Sequence, residues 1–192
     1  MGKGISLRTY KLIDLAIFTA LLIVFEFLGV YVIEKYNHPE FCLSISLPLI
    51  LICMMRWNGL AFFMPIVSGV VYCYSIKSAT LDNYLIYTIG NMFVLINLVW
   101  FLKGKEKIRN SLPLSIVYTV TGFLLVALGR TIVATILGND FLGVLIGFLG
   151  AESINLVLAG FIIAIARLQN GLFIDQILYL KNIQKEEEGK EW

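Results

Sequence analysis

A single histidine, three cysteines and a charged fraction of only 15% leave this 192-residue chain with few of the groups that do chemistry. The histidine, His38, lies in an outer loop; no cluster of His, Cys and carboxylate is read as a metal site, and no His-x-x-Glu-His or Glu-x-x-His motif is present. No glycine-rich phosphate loop is present, and the chain itself is not expected to hydrolyse ATP. Cys42, Cys53 and Cys73 lie in or beside apolar runs, where free thiols pack as small hydrophobes. A Cys42–Cys73 disulfide is the other reading. Given these absences, neither an enzyme nor a bound cofactor is expected.

What is abundant is apolar surface. A mean hydropathy of +0.86 with 59% apolar residues lies well above the roughly 45–50% of soluble domains. Apolar runs lie near 12–33, 41–55, 59–76, 83–102, 113–137 and 141–166. At about 20 residues per crossing, six spans use most of the chain and leave no room for a soluble domain or an ATPase cassette. The basic stretch Lys3, Arg8 and Lys11 precedes a run too long for a signal-peptide core, so that run is read as the first span.

The basic residues orient these runs. With the N-terminus in the cytoplasm, the inner segments collect Lys3, Arg8, Lys11, Arg56, Lys103, Lys105, Lys107, Arg109, Arg167, Lys181, Lys185 and Lys190. The outer loops keep Lys35 and Lys77, and Arg130 falls within a run. Lys and Arg beside a span resist translocation and so mark the inner side. The expected fold is therefore an all-α integral membrane protein: a compact six-helix bundle over 1–170, with both termini cytoplasmic, in the plasma membrane.

The second and third runs are short and meet at Arg56-Trp57-Asn58-Gly59. Fifteen residues of helix reach only about 22 Å against a hydrocarbon core of about 30 Å. Two arrangements follow, a pair of thin spans sheltered in the bundle or a hairpin that does not cross fully. Pro48 and Pro65 each free a backbone carbonyl that neighbouring helices must satisfy. Gly143, Gly147 and Ala151 permit a close helix crossing, read as packing inside the bundle. After Gly171, the residues Leu172, Phe173, Ile174, Ile177, Leu178 and Leu180 share a helical flank. Residues 171–192 are thus expected to form an amphipathic helix on the inner membrane surface, with a charged tail.

Ionisable groups at membrane depth cost about 2.5–3.5 kcal/mol each on the lenient scale, which makes each a candidate functional residue. Glu26, Asn91 and Arg130 each lie seven or eight residues from the outer end of their runs, while Glu152 and Asn155 lie near the middle of theirs. The inner halves carry only Asn97 and the interfacial Asp14. Tyr31, Tyr36, Tyr72, Tyr74, Tyr84 and Tyr87 cluster towards the outer side, as an aromatic belt or as the lining of a pocket. A polar pocket open to the outside over an apolar floor suits capture. One Arg and two Glu suit a small ligand with both donors and acceptors, although an Arg130–Glu152 or Arg130–Glu26 pair can also serve helix packing alone.

Six short spans, an outer pocket and no energy source of its own resemble the S component of an energy-coupling-factor (ECF) transporter. The local match is Ala16-Ile17-Phe18-Thr19-Ala20, similar to the Ala-x-x-x-Ala motif of the family's first helix. The resemblance implies high-affinity capture of a vitamin or cofactor precursor. It implies docking through Ala16 and Ala20 on a transmembrane coupling subunit, with two ATPase subunits supplying the energy. It places the ligand near Asn91, Arg130, Glu152 and Asn155, under the loop carrying Tyr36, Asn37 and His38. The competing classes are a self-sufficient small transporter or channel, and a membrane scaffold that transports nothing.

Overall fold

The computed structural model describes residues 7–36, 43–76, 78–169 and 171–188, and every regular element among them is helical. They are α1 (Leu7–Tyr36), α2 (Ser46–Trp57), a 3-10 turn (Asn58–Phe62), α3 (Phe63–Ser75), α4 (Leu81–Asn91), a 3-10 segment (Met92–Lys103), α5 (Lys105–Asn110), α6 (Leu112–Ile136), α7 (Phe141–Ala151), α8 (Ser153–Ala166) and α9 (Gln176–Glu188). Four stretches are long and apolar enough to cross a membrane: Arg8–Lys35, Ser46–Ser75, Leu81–Leu102 and Leu112–Ile136. The pair α7 and α8, bent by 50° at its break, adds a fifth if counted as one span. Large apolar side chains such as Leu102 (86% exposed) and Ile136 (79%) face outward around the bundle. Water would penalise such surface heavily, whereas lipid accepts it.

The stretch 46–75 doubles back on itself. Ser68 bonds Glu26 and Ser46 bonds Ser44, itself a partner of Glu26, so both ends of the stretch reach one level of α1. Its middle, Arg56 and Trp57, reaches Asp14. Those two α1 levels are twelve residues, or about 18 Å, apart. The reversal sits at Asn58, whose φ of 55° is the one positive value among the described non-glycine residues; Asn is among the few side chains that tolerate it. The later passes alternate likewise: Tyr72 of α3 meets Tyr87 of α4, Asn97 meets Tyr118 of α6, and Asn155 of α8 meets Ser44.

Two local features set the site. The first is a crossing without side chains between α4 and α6. A Cβ on Gly90 would lie 2.6 Å from the Cα of Arg130, and one on Gly129 would lie 2.3 Å from the carbonyl oxygen of Gly90. Neither position has room for alanine, and the contact brings Asn91 beside Arg130. The second is the helix pitch after Asn91. Across 92–103 burial repeats every third residue, with Val94 and Asn97 inside and Ile96, Val99 and Leu102 outside. A 3-10 helix places side chains i and i+3 on one edge.

The small-residue stripe Gly143, Gly147 and Ala151 does not pack inside the bundle. A Cβ on Gly147 would meet nothing within 4 Å, and α7 buries no residue. The C-terminal segment differs from a helix merely lying on the surface. Phe173 is fully buried against Tyr118, and Leu172, Ile177 and Leu180 pack on the main core, while Leu178 stays half exposed.

Candidate functional site

Glu26, Asn91, Arg130, Glu152 and Asn155 line one crevice, together with Ser44, Ser46, Ser68, Tyr72 and Tyr87. Five separate parts of the chain supply them: α1, α4, α6, the α7–α8 joint and α8. All five polar residues are buried, Glu26 most deeply at 2% exposure. About 30 Å3 of free space remains, room for one or two water-sized occupants.

One side of the crevice is built around Arg130. Its guanidinium pairs with Glu152, and its Nε donates to Asn91 Oδ1 at 2.7 Å. Asn91 in turn donates to the carbonyl of Pro65, in the first turn of α3, at 3.4 Å. The guanidinium carbon also lies 4.6 Å from the Tyr87 ring centre and 5.8 Å from that of Phe148. Within about 6 Å, such faces attract a cation. Glu152 occupies the break between α7 and α8. Because the helix stops there, its carboxylate reaches into the bundle instead of following a continuous helix face.

The other side is built around Glu26. Its Oε1 accepts from Ser68 Oγ at 2.7 Å and from Ser44 Oγ at 3.1 Å. Ser44 and Ser46 share a hydroxyl contact of 2.7 Å, and the Ser44 amide donates to Asn155 Oδ1 at 2.9 Å. Asn155 therefore fixes the 43–45 segment. Glu26 Oε2 is buried with no hydrogen-bond partner among the described residues.

Of the tyrosines singled out in the sequence, Tyr72 and Tyr87 line the crevice with ring centres 4.6 Å apart. Tyr31 and Tyr74 are exposed. His38, Asn37, Cys42 and the side chain of Tyr36 lie outside the described residues. Ala16 and Ala20 are both exposed on α1, beside Ile13 and Ile17. Cys53 and Cys73 are buried free thiols. Among the described residues no group of three His, Cys, Asp or Glu side chains is placed to hold a metal.

A second polar cluster, not expected from the sequence, closes the opposite end. Arg56 donates from Nε and Nη2 to the two carboxylate oxygens of Asp14 at 2.8 and 2.7 Å. Its Nη1 reaches the carbonyls of Gly171 and of Leu172, the latter at 3.2 Å. Trp57 Nε1 also donates to Asp14. Nearby, Lys105 pairs with Asp175 at 2.9 Å. Burial pushes the Lys105 ammonium down from its ordinary pKa, while the Asp175 hydrogen bond and charge pull it back up. Between the two clusters lie Leu22, Leu51, Cys53, Met54 and Met64, all fully buried.

Comparison with models of known families, with curated proteins and with solved structures gives no match for this chain. The functional reading therefore rests on the site itself.

Proposed function

We propose that this protein captures a small polar ligand from the outer side of a membrane and presents it to an ATP-driven partner, as an ECF S component does. The observation that carries this reading is the convergence of Glu26, Asn91, Arg130, Glu152 and Asn155 in a crevice at one end of an apolar bundle. Below it, five fully buried apolar side chains separate the crevice from the Asp14–Arg56 cluster. An ion channel or a self-sufficient carrier needs polar groups through its full depth, and this apolar floor argues for capture. A scaffold can use one Arg–Glu pair for packing, but the second carboxylate, Glu26, keeps an oxygen without a partner among the described residues.

Counting the doubled-back 46–75 stretch as two crossings and the bent α7–α8 pair as one gives six spans. The Lys and Arg distribution then puts both termini in the cytoplasm of a plasma-membrane protein. Arg130 and Asn91 receive the acceptor groups of the ligand, Glu152 its donors, and the Tyr72–Tyr87 pair a planar or apolar part. The exposed Ala16–Ala20 face of α1 meets the coupling subunit of a complex that includes two ATPase subunits.

Native mass spectrometry of protein purified from its own cells tests the capture reading, which expects a co-purified small molecule that Glu152→Gln releases. Replacing Ala16 and Ala20 with Leu should abolish co-purification of the coupling and ATPase subunits while sparing the bound molecule. A protein that carries no ligand and no partner under these conditions is not a capture subunit.

A further inference from the structure

We propose that the crevice holds a monovalent alkali cation, of sodium size, against Glu26. This inference stands on the crevice alone and does not need the transport reading.

Charge gives the first reason. Arg130 is paired with Glu152, and among the described residues no ion pair is formed with Glu26, which the Arg130 charge reaches only across the crevice. A carboxylate 2% exposed inside an apolar bundle carries a penalty of several kcal/mol unless a cation or a proton offsets it. A proton does not complete the geometry. On Oε2 it lacks an acceptor, and on Oε1 it leaves Oε2 an unsatisfied acceptor, because Oε2 has no partner among the described residues. A cation satisfies Oε2 and the charge together.

The surroundings supply the second reason. Ser44, Ser46 and Ser68 bring three hydroxyl oxygens to the same carboxylate, linked to it and to one another over 2.7–3.1 Å. Oxygen-only ligands of this kind suit hard cations, whereas soft or borderline metals select nitrogen and sulfur. One carboxylate with neutral hydroxyls matches a single positive charge. Ca2+ takes 6–8 oxygens and Mg2+ near-ideal octahedral geometry, and either would leave the site net positive within the membrane.

The ion would also tie the two halves of the crevice. Ser44 touches Glu26 through its hydroxyl and Asn155 through its amide. A cation that draws the Ser44 and Ser46 hydroxyls towards Oε2 thereby fixes the 43–45 segment against α8, next to the Glu152 joint. The predicted consequence is ion-dependent rigidity of this wall.

The test uses the full chain in detergent, exchanged into choline chloride, with thermal unfolding followed as NaCl, KCl or more choline chloride is added at constant total salt. A ligand that binds only the folded state raises Tm with the logarithm of its concentration, here on the order of 3 °C per tenfold above half-saturation. Sodium is expected to produce this rise, potassium a weaker one and choline none. Glu26→Gln should abolish the sodium effect, and Ser68→Ala should shift half-saturation about tenfold upward. If Glu26→Gln does not fold, Ser46→Ala and Ser68→Ala carry the test. Equal melting in all three salts overturns the proposal and returns Glu26 to a protonated carboxyl, as does an unchanged sodium response in both serine variants.

Discussion

Each end of the bundle buries an arginine against a carboxylate, yet the two clusters are built on opposite plans. At one end Arg56 makes four hydrogen bonds, two to Asp14 and two to backbone carbonyls, out of the five N–H groups a guanidinium owns. Its charge is matched one to one, and it joins α1, α2 and the segment before α9. At the other end Arg130 has Glu152, Asn91 and two aromatic faces, with a second carboxylate a short distance away that retains an unpartnered oxygen. The Asp14–Arg56 pair has both carboxylate oxygens met and ties chain segments together, although Gln176 Oε1 beside it is buried without a partner among the described residues. The second cluster is net negative and lined by side chains on six helices, and one of its carboxylate oxygens is unmet among those residues. Burial of an ion pair alone therefore does not separate a staple from a binding site; a second, unpaired carboxylate beside the pair does.

The sharpest way to break this comparison is to make the same substitution at both arginines. Arg56→Met leaves the Asp14 charge without a counter-charge, held by Trp57 Nε1 alone, and takes a donor from two backbone carbonyls; it should cost about 3–5 kcal/mol, enough to lose the folded monodisperse protein in size-exclusion chromatography. Next in size is Gly90→Ala, which drives a methyl group into the α6 backbone and should cost about 1–3 kcal/mol while spoiling the crevice. Its thermal unfolding should show both the lower Tm and the loss of the sodium response. Arg130→Met is expected to cost less, about 1–2 kcal/mol, because Glu152 sits at a helix joint that can turn the freed carboxylate towards the crevice mouth. The mutant should remain monodisperse yet lose its co-purified ligand in native mass spectrometry. Equal stability losses at Arg56 and Arg130 would remove the distinction drawn here.

The smallest effect expected is one of pH at the Asp14–Arg56 end. Lys105 is pushed below its ordinary pKa of 10.5 in the folded chain. In the interval below that value the unfolded chain binds more protons, so stability should rise with pH there. Lys105→Met removes this contribution, and unfolding curves taken across that alkaline interval should show a flatter pH dependence than the parent.

Much of the binding crevice was legible because lipid makes polar residues conspicuous. Glu26, Asn91, Arg130, Glu152 and Asn155 were identified by their cost at depth, and they line one crevice. Their serine partners were not, since Ser44, Ser46 and Ser68 are cheap enough in a helix to carry no signal. Arg56 was read as an inner-loop charge, because the positive-inside pattern weighs each basic residue alone and cannot see Asp14, 42 positions away. The break at Glu152 has no proline to announce it. The α4–α6 crossing uses one glycine from each helix, Gly90 and Gly129, so no spaced motif on either helix marks it. The apolar flank after Gly171 was visible, but its destination was not: periodicity gives a face and not what the face meets.

The 3-10 segment Met92–Lys103 also acts as a gear. Over its twelve residues, the change from about 2.0 to 1.5 Å rise per residue would shorten the pass by about 6 Å. The accompanying change from 3.0 to 3.6 residues per turn would rotate its far end by about 240°. Such a shift would swing Asn97 away from the Tyr118 carbonyl at 2.9 Å and from the Thr121 hydroxyl at 2.8 Å. Those two bonds hold the segment in its present register. While they hold, the ridge below Asn91 is locked in register with α6, and any movement of Asn91 in the crevice must be taken up by the helix joints instead.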